Sequence, residues 1–359
     1  MCNIAGYVGN KRAAPILIDL LRRQQWYDGC VCTGIATIHE GKLYTAKVVG
    51  DVDTFLRETD GINFPGTIGI AHSRPGGDCA EHAHPFVDNS GKLAYVANGT
   101  FSCTNNDEYI EISRQLMHGY FNKGHNITSA IDGDPNSMFS LPNGKVYHGT
   151  DSYAHHMGEL VDNGMNLCQA MAEAFSTRPN GFVGVAIHAD DPTTIAIGKM
   201  NCPMTVGLKG DETYIATTQF GFPEDIEFDT VFATPVNTVC AATAGELKVT
   251  KYKINNLKVE SITADIFNKA YDLTENYLKG KKDNPVNLWD LEKLYNSEWK
   301  PIWQEPYIDS KFANPDGPIL KPYPELSYQV LWAMQKEGKL RKVLGERSGK
   351  YPMWHFYLD

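Results

Sequence analysis

From Asn3 to about Ile254 the chain is a succession of short β-branched and aromatic runs cut by Gly, Asn and Asp turns. Runs of that composition read as strands, and turns this short close neighbouring strands into antiparallel pairs. The expected strands are 4–8, 33–39, 42–49, 67–72, 93–97, 184–188, 194–199, 213–217 and 246–253. Glu40 and Gly41 close one pair, and the segment 189–193 with its Pro192 closes another. Apolar positions recur every three or four residues over 14–25, 106–120, 151–162 and 165–175, which predicts helices there. The class is therefore α+β, without an internal repeat.

After Lys253 the character changes. A helical stretch, 263–278, runs into the charged, Gly- and Pro-bearing segment 279–285, which reads as a boundary. This divides the chain into a main domain, 1–255, a helix and linker, 256–285, and a mainly helical module, 286–359. Pro301, Pro306, Pro315, Pro318, Pro322 and Pro324 make 300–324 an extended, wrapping segment. Residues 325–336 form a helix, and 347–350 turn into a last strand, 351–357. A helix followed by a hairpin is compatible with a small winged-helix unit.

Hydrophobic types at 42% and charged types at 21% exclude disorder over most of the chain. A net charge of -10 argues against whole-chain attraction to nucleic acid or anionic lipid, leaving small molecules or proteins as partners. The N-terminus lacks the basic and apolar regions of a signal peptide, and no window reaches the length of a membrane span, so a cytoplasmic protein is expected. Eight cysteines without CxxC spacing are then thiols. Cys30 and Cys32 lack the partners of a zinc site, and no carboxylate or Cys completes a metal set at His82 and His84 or at His155 and His156. These histidines are expected to be solvated or capping, with no metal and no cofactor. In the tail, Lys336, Lys339, Arg341, Lys342, Arg347 and Lys350 outnumber Glu337 and Glu346, and a solvated helix face is expected rather than a nucleic-acid contact. The aromatic residues from Trp289 to Trp354 are expected to anchor the module on the main domain or on a partner chain, or instead to cover an active site.

Cys2 follows the initiator Met directly. Removal of Met1 gives it a free α-amine, with an ordinary pKa near 8 (roughly), so that one residue carries both a nucleophilic thiol and its base. Four further motifs follow in order: Gly34 to His39, Gly69 to Arg74, His84-Pro85 and Asn98-Gly99. Thr150-Asp151-Ser152 heads a helix, and Gly181 to Gly207 reads as paired strands.

With the opening run Cys2 to Gly9, this order resembles the glutaminase domain of class II glutamine amidotransferases, the N-terminal-nucleophile family, in the manner of its glucosamine-6-phosphate synthase branch. The resemblance covers roughly residues 2–254. It implies a four-layer α/β/β/α sandwich and hydrolysis of the glutamine side-chain amide through a Cys2 thioester. Asn98 and Gly99 would form the oxyanion hole, and Arg74 would hold the α-carboxylate. Asp151 would either pair with the α-ammonium group or serve only as a helix cap. His72, Gly76 and Gly77 would line the substrate. The partners implied are glutamine or a related small amide and an ammonia-accepting synthase subunit; assembly with copies of itself stays open.

The chain also departs from the family. Pro75 to Cys79 replaces the family's Trp-Ala-Thr-His-Gly loop, Asp28 stands where an Arg is expected, Ala97 replaces a His, and an insertion spans about 122–147. The residues after 255 are too few and of the wrong pattern for the sugar-isomerase domains, so no phosphosugar site is expected. Two alternatives therefore accompany the glutaminase reading: hydrolysis of another amide, and a non-catalytic sensor or scaffold.

Overall fold

Strand alternation decides the architecture. In the computed structural model, which describes residues 2–28, 31–77, 79–100, 107–179, 181–281, 284–297, 322, 324–345 and 352–359, the strands of the main domain form two antiparallel sheets. Cys30 and most of the proline-rich segment 300–324 lie outside the described residues. Seven strands make the first sheet: β1 (Asn3–Val8), β2 (Cys32–His39), β3 (Lys42–Val49), β4 (Ile68–Arg74), β9 (Thr205–Lys209), β10 (Glu212–Ala216) and β11 (Thr230–Ala233), in the order β11-β9-β10-β1-β4-β2-β3. Six make the second: β5 (Phe86–Val87), β6 (Leu93–Thr100), β7 (Gly181–His188), β8 (Asp191–Lys199), β12 (Thr238–Thr243) and β13 (Glu246–Tyr252), in the order β13-β12-β8-β7-β6-β5.

On each strand alternate residues point to opposite faces. Ile4 and Val8 of β1, Ile68 and Ile70 of β4, Ala94 and Val96 of β6 and Val183, Val185 and Ile187 of β7 share one buried cluster between the sheets. Ala5, Tyr7 and Ala71 point the other way, into a cluster with α1 (Ala13–Asp28) and α2 (Val52–Glu58). Leu93, Tyr95 and Ala186 likewise pack with α4 (Asp151–Asp162) and α5 (Leu167–Thr177). Fully burying one such aliphatic side chain contributes about 1.5–3 kcal/mol. A third helix, α3 (Asp107–Asn122), packs with Ile127, Leu141 and Tyr147 of the insertion in a separate small cluster.

The C-terminal elements are α6 (Ala264–Lys281), α7 (Leu288–Ser297), α8 (Glu325–Lys336) and the antiparallel pair β14 (Leu340–Gly345) and β15 (Met353–Leu358). Val286, between α6 and α7, bridges to Phe356 of β15. Their shared core takes in Tyr27 of α1 and Phe220. Tyr27 stacks on Phe220 with centroids 4.9 Å apart, and Trp332 meets Phe220 edge-on at 5.1 Å. Lys199 and Glu325 form an ion pair at 2.6 Å, with 1% and 5% of their side chains exposed, and Lys199 also donates to the Thr234 carbonyl at 2.8 Å. Lys342 departs from the solvated face expected for the tail: its ammonium donates to the Tyr27 hydroxyl at 3.0 Å and lies 5.1 Å from the Phe220 ring and 4.9 Å from the Trp354 ring. Aromatic faces attract a cation, more so when water is thinned around it. The aromatic anchoring expected of the module is present in Tyr328, Trp332 and Trp354, each in contact with Tyr27 or Phe220.

Candidate active site

The layer between the sheets changes character at one end. Going towards the start of β1 and the end of β4 and β6, the positions that continue the inward, apolar stripes are Cys2, His72, Arg74 and Asn98. Cys2 thus arrives on one sheet and Asn98 on the other. The Cys2 backbone nitrogen donates to Asn98 Oδ1 at 3.1 Å, and Asn98 is 2% exposed. The strand end is held from behind: Thr217 Oγ1 accepts from the Ile4 amide at 2.8 Å, while Gln24 of α1 donates to the Ile4 carbonyl at 2.9 Å and accepts from the Thr217 amide at 3.0 Å. Burial pushes the Cys2 thiol up from its ordinary pKa, with the chain's amino terminus and the Arg74 guanidinium pulling it back. Gly99 follows Asn98 with φ 142°, and a Cβ there would sit 2.4 Å from the Gly181 carbonyl oxygen, so only glycine fits this bend.

Strand register explains Arg74. Asn3 pairs with Ser73 and Cys32 pairs with Arg74, so Arg74 lies on the strand beside Cys2 with Cys32 one strand further on. Arg74 Nη1 donates to the His82 carbonyl at 2.7 Å and faces His148 Nε2 at 3.2 Å. A Cβ at Gly77 would be 2.9 Å from Cys32 Sγ and 3.7 Å from Arg74 Cζ, which places this backbone over the guanidinium; a Cβ at Gly76 would meet open space. His72 is 1% exposed, with Nε2 at 3.0 Å from the Ala97 carbonyl and 2.8 Å from His84 Nδ1.

Asp151 opens α4 and is fully buried. Its Oδ2 accepts from Ser129 Oγ, and its Oδ1, which has no hydrogen bond among the described residues, is 3.7 Å from His155 Nε2. Burial raises the carboxyl's pKa, opposed by His155, Ser129 and Lys47. Thr150, the preceding residue, makes no side-chain capping bond. Ser129 belongs to the insertion, so the segment that interrupts the family pattern supplies part of the site. It also takes His82 Nε2 at its carbonyl, 3.0 Å away, and accepts from the His148 amide at its hydroxyl, 3.2 Å away. Lys47, from β3, donates to the Ala83 carbonyl at 3.0 Å, tying the segment that follows the replaced loop to the sheet; burial lowers its pKa.

Cys2, Arg74, His72, Asn98, Gly99 and Gly77 are thus gathered at the end of the inter-sheet layer, with Asp151 linked to Arg74 through Ser129 and His148. Sequence reading missed Ser129, His148, Lys47, Gln24 and Thr217. Lys47 had a signal, because it pairs with Gly34, which pairs with His72, but reading it requires the register. His155 and His156 are not solvated, since 1% and 9% of them are exposed. The reason lies in their neighbours: His155 faces Asp151, and His156 Nδ1 faces a guanidinium nitrogen of the fully buried Arg178 at 3.1 Å.

No family model matches the chain. Among curated proteins it is similar to glutamine–fructose-6-phosphate aminotransferases (isomerizing). That of Pyrococcus horikoshii is 28% identical over 220 residues, 60% of this chain and 32% of the relative. That of Streptomyces coelicolor is 29% identical over 226 residues, 62% of this chain and 32% of the relative. That of Chlamydia caviae is 23% identical over 368 residues, 98% of this chain and 53% of the relative. The chain spans about a third to a half of the length of these relatives. In fold it is similar to the glutamine phosphoribosylpyrophosphate amidotransferase of B. subtilis, with a TM-score of 0.56 at 16% identity over 77% of this chain and 58% of that one. A structure described as the allosteric regulatory enzyme of purine biosynthesis gives 0.55 at 16% identity over the same shares. Among the described residues no helix is long and apolar enough to cross a membrane. The chain's homologues are glutamine–fructose-6-phosphate aminotransferases, and its neighbours in fold are class II glutamine amidotransferases of the N-terminal-nucleophile kind.

Proposed function

We propose that the chain is a glutamine amidotransferase-like enzyme that hydrolyses the glutamine side-chain amide to glutamate and ammonia, with Cys2 as nucleophile once Met1 is removed. One observation carries this reading: the Cys2 nitrogen lies within a hydrogen bond of Asn98 Oδ1, across two sheets, 3.1 Å away. The thiol proton passes to the α-amine as sulfur attacks the carboxamide carbon. Asn98 Nδ2 and the Gly99 amide receive the oxyanion; losing one such donor typically costs about 10²–10³ in rate. Collapse breaks the C–N bond, the α-amine returns the proton to the leaving ammonia, and water then cleaves the thioester to glutamate and free thiol.

Arg74 donates to protein from Nη1 alone among the described residues, which keeps the other edge of its fork for the α-carboxylate. Asp151 Oδ1, bare of hydrogen bonds among the described residues, is the acceptor proposed for the α-ammonium group. The two sheets with α1 and α2 outside one and α4 and α5 outside the other are read as the four-layer sandwich of the N-terminal-nucleophile type. Residues 1–255 are its catalytic domain. Residues 286–359, with α7, α8, β14 and β15, are read as a winged-helix module, and α6 as the helix that leads into it. The ammonia acceptor is proposed to be a separate synthase subunit. A second reading, an amide other than glutamine, is favoured by the tying of one Arg74 nitrogen to the His82 carbonyl, just past the replaced loop.

The test is ammonia release from glutamine by protein whose mass shows Met1 removed, beside Cys2→Ala. The expected result is glutamine-dependent release that Cys2→Ala abolishes, and a glutamine-like electrophile found on Cys2. Attachment at Cys32 or Cys79, or release that survives Cys2→Ala, overturns the assignment. Release from another small amide but not from glutamine selects the second reading.

A further inference from the structure

We infer that His72 is a positioning residue that sets the spacing of the two sheets at the reaction centre, and that His84 holds it in place. The inference rests on the Cys2 reading above. Cys2 rides at the head of β1 in the seven-stranded sheet, whereas Asn98 and Gly99 belong to β6 of the six-stranded sheet. The layer between them is a cluster of apolar side chains, and apolar packing has little directionality, so it fixes relative position loosely.

His72 crosses that layer. From β4 its Nε2 comes within 3.0 Å of the Ala97 carbonyl, which belongs to the same peptide unit as the Asn98 amide. A shift of that peptide carries the Asn98 side chain and the Gly99 amide with it. The imidazole must present Nε2–H to serve a carbonyl, which can only accept. His84 Nδ1, 2.8 Å from the same Nε2, must then be unprotonated and accept as well, so the two tautomers are interlocked. His84 is itself wedged: its ring meets Phe86 edge-on at 4.7 Å, and its carbonyl oxygen would be 2.1 Å from a Cβ at Gly34, where β2 leaves room for it. Burial, with Arg74 adding to it, takes the His72 pKa down to about 3, so the ring stays neutral at working pH. His72 is itself buried, 1% exposed, and the role inferred for it runs through the Ala97 peptide.

The experiment uses the full chain with His72→Leu, His72→Gln and His84→Phe. It measures kcat and KM for glutamine, the pH profile, alkylation of Cys2 by iodoacetamide, and thermal melting. Alkylation needs the thiol but no oxyanion hole. For His72→Leu the expected result is a kcat lower by about 30- to 300-fold, the range for a misplaced oxyanion donor. KM and alkylation rate stay within about twofold and the pH limbs stay in place, as expected when only transition-state contacts are lost. His72→Gln, whose amide reaches as far as Nε2, regains at least about tenfold of the loss. His84→Phe keeps the bulk against Phe86, and its smaller kcat loss serves where His72→Leu does not fold. Equal losses in alkylation and kcat, a rise in KM at unchanged kcat, or no recovery in His72→Gln overturns the positioning role. A wild-type protein that releases no ammonia and takes no electrophile at Cys2 overturns the glutaminase reading instead.

Discussion

At the scale of single residues, the thiol of Cys2 has a sign that can be checked. Burial disfavours its thiolate, so its folded pKa is raised and the reactive fraction grows as pH climbs through and above the ordinary thiol range. The rate of alkylation should therefore still be rising at about pH 9.5, where an ordinary thiol, with its pKa of about 8.5, has levelled off. A profile already flat at neutral pH contradicts this. Arg74→Lys keeps the charge but loses the planar fork, and KM should rise by about tenfold or more with kcat little changed. Cys2, Arg74, Asn98 and Asp151 were legible in the sequence because each sits in a short motif whose order is preserved. Ser129, His148 and Lys47 were not. Their roles come from where the insertion and the loop after Arg74 fold back, and nothing local in Ser129 distinguishes it from any loop serine.

Among the elements, α8 is held at its first turn by the buried Lys199–Glu325 pair and along its length by Trp332 against Phe220. Removing one partner of such a pair leaves the other charge buried and alone, which costs about 3–5 kcal/mol. Glu325→Ala should accordingly melt well below the wild type, and limited proteolysis should release a C-terminal fragment first. Phe220→Ala, which empties the aromatic seat, should cost about 3–5 kcal/mol and act in the same direction. A double variant no less stable than the worse single variant is expected, since both act on one docked surface. The expected strands and helices formed, with ends moved by a few residues, because their apolar periods are long enough to read. Strands β5, β11 and β12 escaped notice, and β9 was seen only in its first residues, within the paired-strand stretch 181–207: the run from Thr238 to Thr243 is largely Thr, Ala and Cys, small residues whose pairing with β8 and β13 decides their conformation. The turn between β7 and β8 is shorter than expected, as β8 begins at Asp191 and takes Pro192 into its first residues.

For the molecule as a whole, His72, His84, His148 and His156 are all held neutral by burial, with His72 pushed down to about 3 and His156 to about 4. The unfolded chain protonates its histidines near pH 6.5 (roughly), so it binds more protons than the folded one below that pH. These groups stabilise the fold above that pH, and the contribution is lost as pH falls from there towards about 3–4. Each contributes up to about 1.4 kcal/mol per pH unit in that window. The melting temperature should drop steeply from pH 7 to pH 5 (roughly), with a smaller drop in His156→Gln. A melting temperature unchanged over that range contradicts neutral burial. The proposed reaction centre is divided between two sheets. On the function proposed above, the alignment of attacking sulfur and receiving donors is a property of both sheets together, like the gap of a pair of jaws set at the hinge. Substitutions that swell or thin the interior, such as Val183→Ile or Ile70→Val, should then be felt as changes in turnover although they touch no reacting atom.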